Sequence, residues 1–159
     1  MQRPIGGFSC GSFMVETERL IYTLGTSRRT EEDFVEILNS YGIEALVDVR
    51  RFPRSGIPAY NRESLERLAS ENGIEYHFLG DALGGFRKGG YQEYTLTEAF
   101  RRGIERLEAV ACRRLSVVVC AERFPWKCHR RWIARELAGR GWRVLHIIDK
   151  GRVWEPRNP

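Results

Sequence analysis

Five short apolar runs, spaced so that a helix-length segment fits between most neighbours, constrain this chain more than any other feature. They are Leu20–Leu24, Ala45–Val49, Ile74–Leu79, Leu115–Val119 and Val144–Ile148. Each is too short and too rich in β-branched residues for a helix, so each reads as a strand. Between them lie segments with helical periodicity. Phe34, Ile37, Leu38 and Tyr41 recur at one-turn spacing behind Thr30-Glu31-Glu32-Asp33, which resembles a capping box with Asp in the usual Glu place, and Gly42 stops that helix. Asn61 reads as the cap of a second helix through Leu65, Leu68 and Ala69. Two further helices are predicted from about Thr97 to Ala111 and from about Cys128 to Leu137.

Strands alternating with helices argue for βαβ units, hence an α/β fold: one three-layer domain whose mostly parallel sheet of about five strands carries helices on both faces. The expected organisation is a flexible leader over residues 1–18 and a single domain over 19–159. Gly6, Gly7, Gly11 and Ser12 mark the leader. It lacks the apolar stretch of a secretory signal, and no run approaches the roughly 20 apolar residues that span a bilayer. A cytoplasmic protein with no membrane partner is the expectation.

A parallel sheet binds ligands beyond the carboxyl ends of its strands. The segments that follow the strands are Gly25-Thr26-Ser27, Arg50-Arg51-Phe52-Pro53-Arg54-Ser55, the glycine-rich Gly80–Gly90 loop and Ala121–Arg131, and polar chemistry is densest there. The Gly80–Gly90 loop is too rich in glycine for the interior of a helix or strand. The stretch Val119–Arg131, VCAERFPWKCHRR, concentrates two thiols, a carboxylate, an imidazole and four cations.

Three chemistries fit that stretch. Cys120, Glu122, Cys128 and His129 are all zinc-ligand types, but the paired C-x₂₋₄-C spacing of structural zinc sites is missing. A site using Cys120, Cys128 and the distant His77 stays open. A reactive thiol is better founded: at a helix start Cys128 gains unpaired N–H groups and the helix dipole, Lys127 and Arg130 add positive field, and His129 can carry a proton. The arginine that phosphatase and sulfurtransferase loops place five or six residues after their cysteine is absent. An anion pocket uses the most residues at once, with Gly25 and Ser27 offering backbone donors and Arg50, Arg54 and Arg130 offering guanidinium forks. Glu122 among these cations is a candidate general base.

Charge is unevenly spread. The net charge is +5, yet residues 120–159 hold ten Lys or Arg against four Asp or Glu. A basic region of that kind attracts phosphate-bearing ligands or nucleic acid. Phe124, Trp126, Phe86, Tyr91 and Tyr60 are placed to stack on rings beside it.

The chain also resembles domain-of-unknown-function family 488, with its YeaO-related bacterial and archaeal proteins. The resemblance rests on Thr23-Leu24-Gly25-Thr26-Ser27, on Leu46-Val47-Asp48-Val49-Arg50 with Pro53 and Ser55, and on Tyr76 with Leu83-Gly84-Gly85. Cys120-Ala121-Glu122, Cys128-His129-Arg130 and His146-Ile147 complete it. It implies a compact cytoplasmic α/β domain with these segments gathered at one end of the sheet, and it implies no particular reaction. Function is therefore read from the residues. The leading expectation is an enzyme acting on a phosphorylated or nucleotide-like anionic substrate, with Cys120, Glu122, Cys128 and His129 as catalytic groups. Gly25, Ser27, Arg50, Arg54 and Arg130 would bind the anion. The alternatives are a non-catalytic nucleic-acid-binding module and a metal or redox thiol sensor. No cofactor follows from the residues.

Overall fold

In the computed structural model, which describes residues 18–52 and 58–156, one sheet organises everything else. Its strands are β1 (Leu20–Gly25), β2 (Ala45–Asp48), β3 (Glu75–Phe78), β4 (Ser116–Cys120), β5 (Arg143–Asp149) and β6 (Arg152–Trp154), in the order β3-β2-β4-β1-β5-β6. The first five are parallel and correspond to the five apolar runs. The sixth pairs antiparallel with β5, an edge strand of three residues, too short to be read from the sequence. The expected leader up to residue 17 lies outside the described residues, as do Pro53, Arg54 and Ser55.

The helices are α1 (Glu31–Ser40), α2 (Arg62–Glu71), the single turns α3 (Gly80–Leu83) and α4 (Tyr91–Tyr94), α5 (Glu98–Ala111) and α6 (Arg130–Gly139). Thr30 caps α1 as its sequence implies: its Oγ1 accepts the Asp33 N–H at 3.0 Å. Thr97 does the same for α5, through Phe100. The glycine-rich segment, expected to be loop throughout, contains the turn α3, while Gly84–Gly90 remains irregular.

The strand alternation sorts the core into two faces. Val118 and Cys120 of β4 join Val47, Ile104, Leu107 and Ile133 in the cluster that packs under α5 and α6. Val117 and Val119 join Leu24, Phe34, Leu46 and Leu65 in the cluster under α1 and α2. Since every residue of β4 is buried, its sequence is a continuous apolar run. The result is the expected three-layer sandwich.

The topology positions the site. From β1 the chain crosses to β2 on one side, and from β4 it crosses over β1 to β5 on the other. The carboxyl ends of β1 and β4 meet in register at Gly25 and Cys120, where the connections diverge.

Between those strands and β5 runs a buried polar chain. An Arg130 Nη1 donates to Thr23 Oγ1 at 2.8 Å, and Thr23 Oγ1 lies 2.6 Å from His146 Nδ1. A hydroxyl has one hydrogen and two lone pairs, so Thr23 accepts from Arg130 and still has a hydrogen to offer the Nδ1 of a neutral His146. Burial, then the charge of Arg130, lowers the His146 pKa to about 4. The unfolded chain binds that proton near pH 6.5 and the fold refuses it until about pH 4, so stability is full above 6.5 and declines as pH falls through this window. The expected loss is on the order of 3 kcal/mol. Urea unfolding of the wild type and of His146→Gln between pH 7 and pH 4 checks this. The variant should lose that part of the slope, and an identical slope would contradict the assignment.

Candidate active site

The bend from β4 to α6 is closed by backbone bonds from β1. Thr26 N–H donates to Cys120 O and Ser27 N–H to Ala121 O, both at 2.8 Å, with Ser27 in the left-handed region at φ 48°. Gly25 is required beside them, since a Cβ there would collide with the Glu122 carbonyl. The bend then makes a 3₁₀ turn over Pro125–Lys127, where Pro125 fixes its own φ and the Cys128 N–H returns to Pro125 O at 3.1 Å. The Ser27 amide expected to face an anion is therefore bound to the bend, and Gly25 serves by lacking a side chain.

Both described arginines proposed for the anion are likewise turned inward. Arg130 is 0% exposed. Besides Thr23, it donates to the carbonyls of Glu122 at 2.6 Å and Arg123 at 3.2 Å, while its Nε is buried without a partner. Arg50 is also buried: Nε and Nη2 hold the two oxygens of the fully buried Asp48 at 2.8 Å, and Nη1 reaches Tyr60 O. Tyr76 completes that cluster, donating to Asp48 Oδ2 at 2.6 Å. The physical reason for the difference from expectation is local. A guanidinium at a strand end is nearer to carboxylates and carbonyls of the bend than to solvent, and those acceptors take its donors. Arg54 lies outside the described residues.

The thiols, by contrast, converge. Cys120 Sγ at the end of β4 lies 2.7 Å from Cys128 Sγ at the start of α6. Cys128 Sγ is 3.4 Å from the Arg130 amide, the kind of helix-start donor that favours a thiolate, and 3.6 Å from His129 Nδ1. The other ring nitrogen, Nε2, is 2.9 Å from the Val49 carbonyl. A carbonyl only accepts, so Nε2 carries a hydrogen, and Nδ1 is the ring nitrogen that faces Cys128. Tyr91 packs on the His129 ring at 5.2 Å, anchored by its hydroxyl on Leu83 O. Gly85 leaves Nδ1 its space, for a Cβ there would stand 3.1 Å from it.

The environment separates the two thiols electrostatically. Cys128 is driven below the ordinary thiol value by the hydrogen bond from Cys120, by His129 and by the charge of Arg130, against the opposing effect of burial. Cys120 is driven up by burial and by giving its proton to that bond. Cys128 opens onto a cavity of about 400 Å³ lined also by Trp126, Lys127, His129, Arg131 and Trp132, and Cys120 lies behind it. The outer thiol is the one favoured as a thiolate, and the inner one is its hydrogen-bond donor.

Glu122 is not brought into this arrangement through its side chain. Its carboxylate is exposed and hydrogen-bonds no described residue, and its contribution is the carbonyl that accepts from Arg130 and, at 3.8 Å, Cys120. His77 sits on edge strand β3 against Glu75, two strands away from β4. Among the described residues no three of His, Cys, Asp and Glu form a cluster able to hold a metal ion. Residues that sequence reasoning left without a role here are Thr23, Val49 and Gly85. The Leu83-Gly84-Gly85 run was the available signal for the last; a backbone carbonyl such as that of Val49 has none.

Comparison with known proteins adds a family. Residues 30–137 match the model described as Domain of unknown function DUF488. No curated protein and no solved structure matches the chain. The match covers more than half of the sequence and includes both thiols, and the chain belongs to this family. Among the described residues no helix is long and apolar enough to cross a membrane.

The thiol pair makes a direct prediction. Alkylation of Cys128 by iodoacetamide, followed against pH by peptide-resolved mass spectrometry, should titrate well below the ordinary thiol value of about 8.5. In Cys120→Ala the donor is gone, and the midpoint should rise by at least about one unit. An unchanged midpoint would show that Cys120 does not hold the thiolate.

Proposed function

We propose that this member of the DUF488 family is a dithiol redox protein in which Cys128 is the attacking thiolate and Cys120 the resolving thiol. The observation that carries the reading is the 2.7 Å between the two sulfurs. That separation is about 0.7 Å longer than a covalent disulfide of about 2.05 Å. The pairing joins residues eight apart across the strand-to-helix bend, so closing the bond asks for little backbone movement.

The residues support a balanced exchange with a substrate disulfide, R–S–S–R′. The Cys128 thiolate attacks one sulfur, forming Cys128–S–S–R and expelling R′S⁻. Loss of charge on Cys128 removes the partner that held the Cys120 proton, and Arg130 favours the Cys120 thiolate that results. That proton goes to R′S⁻, giving R′SH. Cys120 then attacks Cys128 Sγ and releases RS⁻. The protein dithiol has lost two electrons and the substrate disulfide has gained them. His129 Nδ1, which Val49 leaves free, is the group within reach of Cys128 Sγ to relay a proton.

A reading in which Arg50 and Arg130 grip a phosphate at this site has less support, because their donors are engaged within the fold. Arg130 instead supplies a buried positive charge that, among the described residues, has no carboxylate partner. A buried charge without a counter-charge costs several kcal/mol, and the thiolate beside it answers that cost.

Incubation with glutathione disulfide tests the assignment. Cys120→Ser should accumulate one glutathione on Cys128, whereas the wild type should release both glutathiones and retain a Cys120–Cys128 disulfide in the mapped peptides. A wild type that keeps glutathione on Cys128, or a Cys120→Ser protein that takes none there, sinks the proposal.

A further inference from the structure

We infer that the cleft between α6 and the β5–β6 edge binds a nucleotide, a planar heteroaromatic ring carrying phosphate, with Trp126 and Trp154 taking the ring and Arg131 and Arg135 taking the phosphate. The cleft has a volume of about 890 Å³, in the range of small-molecule sites. It is separate from the thiols, although it shares Trp126 and Arg131 with the cavity onto which Cys128 opens. The inference does not rest on the redox reading.

Two features of the cleft are unlike ordinary surface. The first is its aromatic wall. Trp126 is 45% and Trp154 40% exposed, and their rings meet edge to face at 5.1 Å and 76°. Both are braced from behind, Trp126 by the stacked ring of Phe124 at 5.1 Å and Trp154 by His146 at 5.4 Å. Exposed indoles of this size held in fixed orientation present large apolar faces to water, and such faces mark sites where a ligand covers them. Tryptophan faces stack on bases irrespective of sequence.

The second is its charge. Arg131 and Arg135 stand one helical turn apart on the exposed side of α6, and both line the cleft. Like charges at this spacing repel. Among the described residues neither has a carboxylate partner, whereas the third arginine of the cleft, Arg143, is paired with Glu18 and Glu155. Both guanidiniums lie by the ring of Trp132, with Cζ at 4.8 and 5.9 Å from its centroid, which limits their wandering. Forked donors lining one cleft suit a phosphate, which an arginine recognises through paired N–H groups. A strand of nucleic acid asks for a groove that follows several phosphates. This cleft offers two unpaired guanidiniums beside one aromatic wall, the requirement of a single nucleotide.

Titration of the full-length protein with adenosine and guanosine 5′-monophosphates, read by tryptophan fluorescence and by calorimetry, tests the inference. At least one should bind saturably. Adenosine and inorganic phosphate alone should each bind at least about tenfold more weakly, since each lacks one half of the contact. Arg135→Ala, an exposed helix position that should fold normally, should weaken binding by about tenfold or more, as should Trp154→Ala. Cys128→Ser should bind like the wild type, which keeps this result distinct from failure of the thiol chemistry. The inference is overturned if neither nucleotide saturates, or if phosphate binds as tightly as the nucleotide. It is equally overturned if Arg135→Ala has no effect, if Cys128→Ser abolishes binding, or if only oligonucleotides bind, with affinity that grows with length.

Discussion

A guanidinium sealed away from water holds the functional end of this fold together. Arg130 sits at the first turn of α6, yet its side chain reaches back to β1 through Thr23 and to the bend through the carbonyls of Glu122 and Arg123. One side chain thereby fixes the helix, the central strand and the loop between them. Its backbone amide at the same time faces Cys128 Sγ. The consequences are electrostatic as well as geometric. A cation that cannot leave and has no carboxylate partner among the described residues acts on its neighbours: with burial it keeps His146 neutral, and with Cys120 and His129 it draws the Cys128 thiol toward the ionised form. Arginine suits this place because it cannot give up its own proton in response.

Arg50 does a parallel job one strand away, with a different outcome. There the cation faces the buried carboxylate of Asp48, and Tyr76 from β3 supplies a third bond. The charges cancel locally, so this cluster stiffens the end of β2 without activating anything. It still matters to the thiols, because the residue between Asp48 and Arg50 is Val49, whose carbonyl sets the tautomer of His129. A compensated pair orients the histidine, and an uncompensated arginine adds its charge beside the cysteine.

The layers of the fold were legible because they follow from periodicity. Val117 to Cys120 alternate between the two cores, and the five apolar runs became the five parallel strands. The gathering of these residues was legible too, since segments after parallel strands meet at one edge, and Cys120, Cys128, His129 and Arg130 do meet. What the sequence could not specify was direction. Arginine in a motif offers five donors without saying whether they face a ligand or the chain, and Arg50 and Arg130 face the chain. Glu122 conveys chemistry through its carbonyl, which any residue type would also have. Strand β6 was not legible because three residues are too few to show a period.

The bend also fixes the relation between the two halves of its chemistry. Trp126 lies within the 3₁₀ turn that the Cys128 amide closes onto Pro125, so the indole and the thiol belong to a single hydrogen-bonded turn. On its inner side this turn meets Cys120 and Arg130, and on its outer side it forms part of the aromatic wall. Pro125 is buried under it and restricts the backbone at the point where the two sides diverge. Aromatic and thiol functions are therefore held at a separation set by three residues of constrained backbone rather than by the packing of distant elements. A sequence with both CAE and CHR but a looser connection between them would still place its thiols at the end of the sheet, but it would not fix the position of an indole relative to them.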